Sequence, residues 1–102
     1  MNITFIDGKE RSGKTTLAHA MSLLFAAGKQ EVLIIDEGVH VAKGAGETVS
    51  QATLLNMVRG KPHNFQLILV GKPGHKLLDA VLAAHPKTTV FIITTGRTDP
   101  DA

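Results

Sequence analysis

Four short apolar runs, NITFID (2–7), EVLIID (31–36), FQLILV (65–70) and TTVFIIT (88–94), punctuate this chain, and the first three are each separated from the next by a segment of helical periodicity. Strands that show one face to water alternate apolar and polar residues, whereas near-continuous apolar runs are what a sheet buried on both faces requires. The intervening segments carry the 3.6-residue pattern. Leu17, Ala18, Met21, Leu24 and Phe25 line one stripe from Lys14 to about Ala27, and Gly28 supplies a stop. Thr48 to Arg59 reads as a second helix, with Thr48 as N-cap and Val49, Ala52, Leu55 and Met57 facing inward. His75 to about His85 reads as a third, through Leu77, Leu78, Val81 and Leu82. Between them, GVHVAKGAGE (38–47) has three glycines and no period and reads as a loop, and GKPG (71–74) as a tight turn. From 96 to 102 the chain is a polar, loose tail. The order β-α-β-α-β-α-β predicts an α/β fold of three layers, α/β/α, around a mainly parallel sheet of about four strands joined by right-handed crossovers.

With 102 residues there is room for one core and not for two, so the chain is read as a single domain. A hydrophobic content of 43% with 20% charged residues is that of a folded soluble chain. Eleven basic residues against nine acidic give a formal charge of +2 with no basic run, so charge makes no case for nucleic-acid binding. The absence of cysteine excludes disulfides, thiolate metal sites and cysteine nucleophiles. The five histidines, His19, His40, His63, His75 and His85, fall in no metal-binding spacing. No apolar run approaches the roughly 20 residues of a membrane span, and the N-terminus reads as a strand and not as a secretion signal. A cytoplasmic location is expected.

The residues that carry chemistry follow the first run. Gly8, Lys9, Glu10, Arg11, Ser12, Gly13, Lys14 and Thr15 satisfy G-x-x-x-x-G-K-[ST] in full, between an apolar strand and an amphipathic helix. Gly8 and Gly13 allow a backbone that curls round a phosphate with its N–H groups inward. Lys14 would reach the β- and γ-phosphates, Thr15 would ligate Mg²⁺, Thr16 would join the nucleotide-binding set, and the N-terminus of the following helix favours the anion. Asp36, at the end of the second run, is the acid candidate for the metal shell, the attacking water or a phosphate acceptor.

This segment resembles the P-loop NTPases, and within them the ParA and MinD-like ATPases, with small-molecule P-loop kinases next. The resemblance covers residues 2–37 well and 65–75 weakly. It implies a small P-loop fold, Mg²⁺ and ATP as the bound species, and a signature role for Lys9, which would reach a partner's nucleotide in a nucleotide-dependent homodimer. Glu10 and Arg11 stand where that group has two glycines. Gly71 stands where it has the aspartate of its D-x-P-G turn, although Pro73 and Gly74 are kept, and this departure implies slow or partner-dependent hydrolysis. TTGRTD (94–99) resembles a guanine signature with Gly96 out of pattern, so ATP is expected ahead of GTP. Three readings stand: a Mg-dependent ATPase, a nucleotide-binding regulator or interaction protein that does not hydrolyse, and a small phosphotransferase whose acceptor meets Asp36 and the 38–47 loop. So few strands leave sheet edges open, which favours a second copy or a protein partner.

Overall fold

The computed structural model describes residues 1–9, 11–41 and 46–95, so Glu10, the centre of the 38–47 loop and the tail with Gly96 and its neighbours lie outside the described residues. In chain order the elements are β1 (Asn2–Gly8), α1 (Lys14–Ala27), β2 (Val32–Asp36), β3 (Val39–His40), α2 (Gln51–Val58), β4 (Gln66–Val70), α3 (Pro73–Ala84) and β5 (Thr89–Thr95). The fold is mixed α/β. Its sheet runs β3-β2-β4-β1-β5, with β2, β4, β1 and β5 mutually parallel and β3 antiparallel to β2.

Among the described residues the sheet therefore has five strands where about four are expected, and the extra one lies in the stretch read as a loop. Asp36 pairs with Val39 across a two-residue connection, Glu37-Gly38, whose φ angles of 53° and 83° are both left-handed. That is the signature of a tight hairpin turn matched to strand twist. Two residues are too few to show a period, which is why β3 escapes a pattern reading.

Side chains alternate between two cores as the strands' two-residue repeat demands. Ile3 and Phe5 of β1, Ile35 of β2 and Leu67 and Leu69 of β4 pack with Leu54 and Val58 of α2 and Leu77, Leu78 and Val81 of α3. On the opposite face Ile6, Ile34, Ile68 and Val70 pack against Ala18 of α1. Handedness explains the partition. From β1 the chain moves past β4 to β2, and from β2 and β4 it moves back the other way, so right-handed crossovers send α1 to one face and α2 and α3 to the other. The direction reverses between β1 and β4, and at such a switch point the carboxyl ends of the strands open into a crevice.

α1 has the expected bounds, but Leu24 lies off its buried stripe and is exposed. α2 starts at Gln51, capped by Ser50, whose hydroxyl accepts from the Thr53 N–H at 3.1 Å. Thr48 is not the cap because it bridges Val39, while the Val49 N–H donates to the Gly38 carbonyl, so both are engaged beside β3. Leu54 and Val58 form the buried face, Ala52 is exposed, and Leu55 and Met57 are half-buried. α3 begins at Pro73 and not at His75: the proline occupies the first turn, where its missing N–H costs nothing, so the expected turn is the helix start itself. β5 was expected to be buried; instead it is an edge strand on which Phe91 and Ile92 are exposed. No helix among the described residues is long and apolar enough to cross a membrane.

Candidate functional site

The segment after β1 is held as a loop by contacts at both of its ends. Asp7 Oδ1 accepts from the Gly8 N–H at 2.8 Å, and the Ser12 N–H donates to the Lys9 carbonyl at 3.3 Å. A Cβ at Gly8 would run into the Thr95 carbonyl and hydroxyl and lie 2.9 Å from Ser12 Oγ, so only glycine lets the loop pass this close to β5. Arg11 and Gly13 are left-handed, at φ 59° and 88°, and Gly13 is the N-cap of α1. Thr95, from the far end of the chain, braces the loop. Its hydroxyl lies 2.7 Å from Ser12 Oγ and donates to the Asp7 carbonyl at 3.3 Å.

Lys14 is the buried cation of the site, 9% exposed. An ammonium taken from water needs partners. Lys14 Nζ donates to the Gly8 carbonyl at 3.1 Å and pairs with Glu37 Oε1 at 3.2 Å. One turn of helix cannot bring these groups together; the parallel sheet does, by ending β1, β2 and β4 on the same edge. Thr15, at the start of α1, donates its hydroxyl hydrogen to Asp36 Oδ2 at 2.7 Å. Asp36 Oδ1 is buried and has no hydrogen-bond partner among the described residues. Thr16 is exposed and lines the cleft, and Lys9 is an exposed residue of the loop.

These groups border an open cleft of about 590 Å³ lined by Arg11, Gly13, Lys14, Thr15, Thr16 and Glu37. The cleft has one face rich in donors and one rim of carboxylate. A single unpartnered carboxylate oxygen beside a hydroxyl suits a hard divalent cation, which takes oxygen ligands and keeps several waters. Among the described residues no three histidine, aspartate or glutamate side chains converge to hold a metal alone. A cation here would therefore complete its shell with water and with oxygens of a bound anion. Thr15 and Asp36 fit that division of labour.

Of the residues singled out from the sequence, Gly8, Gly13, Lys14, Thr15 and Asp36 meet at one edge of the sheet, and Lys9, Arg11, Ser12 and Thr16 surround them. Two further residues belong to the constellation. Glu37 follows Asp36 in VLIIDE, a readable acid pair, but only the hairpin turn brings it to Lys14. Thr95 carries no local signal; the β1–β5 register, which pairs Gly8 with Thr95, places it. Comparison with family models, with curated proteins and with solved structures finds no match to this chain.

Proposed function

We propose that this chain is a P-loop nucleotide-binding protein of the NTPase kind, which takes Mg-ATP at the Gly8–Thr16 loop and hydrolyses it slowly or with the help of a partner. The observation that carries the reading is the 2.7 Å hydrogen bond from Thr15 to Asp36, which joins the hydroxyl and the acid that such a site needs and leaves one carboxylate oxygen free for the cation shell. Backbone N–H groups of the loop and of the first turn of α1 hold the phosphates, and Lys14 moves from the Gly8 carbonyl and Glu37 onto them. Thr15 and Asp36 would hold Mg²⁺, which when bound would supply positive charge against the phosphates. Asp36, through its unpartnered Oδ1, would accept from a water of that shell. ATP is favoured over GTP because the guanine-like residues 94–99 make no case of their own. Lys9, exposed in the loop, is the residue that would meet a second copy's nucleotide.

A regulator that binds without turnover is the second reading, favoured by Gly71, since β4 ends beside Glu37 without an acid of its own. Calorimetry with Mg-ATP, followed by phosphate release in the same sample, separates the two. Binding and release that Lys14→Ala both abolishes support the ATPase; binding without release supports the regulator; equal affinity in wild type and Lys14→Ala refutes the site.

A further inference from the structure

The backbone of Glu37 is anchored to a neighbouring strand. Its N–H donates to the Val70 carbonyl at 2.8 Å, so the chain at the β2–β3 turn remains stitched to the end of β4. The left-handed φ of 53° at Glu37 belongs to that turn. Next to it, Gly71 is buried with φ 84°, and a Cβ built there would lie 2.6 Å from Glu37 Cδ and 2.7 Å from each carboxylate oxygen. The space in which a side chain at 71 would begin is the space the Glu37 carboxylate occupies. β4 thus ends without an acid, and β2 delivers one across it.

The delivered charge sits 3.2 Å from Lys14 Nζ, the cation that a phosphate would seek. A nucleotide without metal brings several negative charges to this point. It must draw Lys14 away from Glu37 and then lie beside the abandoned carboxylate, and like charges repel more strongly in a partly desolvated cleft than in water. A divalent cation on the phosphates, next to Thr15 and Asp36, cancels that repulsion. We propose that Glu37, seated by Gly71, makes the site selective for cation-loaded nucleotide over the free form. Glu37 is a specificity residue, and Gly71 is a positioning residue that acts through it. The inference rests on the nucleotide-binding reading above.

The test is equilibrium binding of a non-hydrolysable ATP analogue to the whole chain, with excess Mg²⁺ and with EDTA. Wild type is expected to bind at least about ten-fold more tightly with Mg²⁺. Glu37→Gln keeps the shape and removes the charge; it frees Lys14 for either form, and is expected to tighten metal-free binding by about ten-fold more than metal-loaded binding. Gly71→Ala is expected to shift the ratio in the same direction, and to shift it no further in a Glu37→Ala background. A Mg²⁺ ratio unchanged in Glu37→Gln overturns the proposal, as does a wild type that binds equally well with and without Mg²⁺. A ratio unchanged in Gly71→Ala overturns the role of Gly71. Glu37→Gln, at a side chain 54% exposed, keeps the question decidable should Gly71→Ala fail to fold. Failure of wild type to bind under either condition overturns the nucleotide-binding reading itself, a result distinct from the others.

Discussion

Single residues carry the contrasts of this site. Thr15 and Asp36 form a hydrogen bond whose acceptor is ionised, a class of interaction stronger than one between neutral groups. Thr15→Ala should therefore cost about 1–3 kcal/mol in a urea titration and should also remove the advantage that Mg²⁺ confers on nucleotide binding. A loss of stability with the Mg²⁺ effect intact would reduce the pair to a structural brace. Glu37 shows the opposite economy, since a non-glycine residue in the left-handed region costs roughly 1–2 kcal/mol and persists only where its surroundings hold it. Asp36 and Lys14 were legible as candidates because spacing and strand end announce them. The partnership of Glu37 with Gly71 was not, because no local rule links a turn residue to the residue that follows another strand.

At the scale of elements, helix ends show how small offsets in sequence are settled by geometry. Gly28 is the C-cap of α1, as its place in the sequence predicts, but the left-handed position is taken by the next residue, Lys29, at φ 60°. The Lys29 N–H donates to Ala26 and the Gln30 N–H to Phe25, the two bonds of a Schellman ending with Lys29 in the glycine seat. Lys29→Gly should stabilise the fold by about 0.5 kcal/mol, because relief of the left-handed strain outweighs the greater freedom of the unfolded chain. Ser50→Ala should cost about 1 kcal/mol through loss of the cap on α2, whereas Thr48→Ala should leave the Thr53 N–H partnered. Urea denaturation of the three variants checks both assignments. The bounds of α1 could be read from its stripe; the start of α2 could not, because Thr48 and Val49 serve the neighbouring β3 instead.

For the whole molecule, the proposed ligand couples to folding by mass action. Mg-ATP at about one hundred times its dissociation constant should add about 2.7 kcal/mol. In a domain of this size that is a rise in Tm of more than about 10 °C, absent in Lys14→Ala. Thermal unfolding with and without the nucleotide measures it. The sheet edge at β5 exposes Phe91 and Ile92, and Lys9 is exposed in the loop after β1. Sedimentation should show a dimer with a non-hydrolysable ATP analogue and a monomer without it or in Lys9→Ala; a monomer throughout removes the signature role from Lys9.

Periodicity and turn chemistry act over a few residues, and what depends on them alone was present in the chain as written: four apolar runs, three helices and a glycine-bounded segment between Gly8 and Thr15. The strand order, the hairpin that adds β3, the exposure of β5 and the convergence of Thr95, Glu37 and Gly71 on that loop were decided by the tertiary structure. They depend on register between strands distant in sequence, where one missing Cβ determines which carboxylate reaches Lys14.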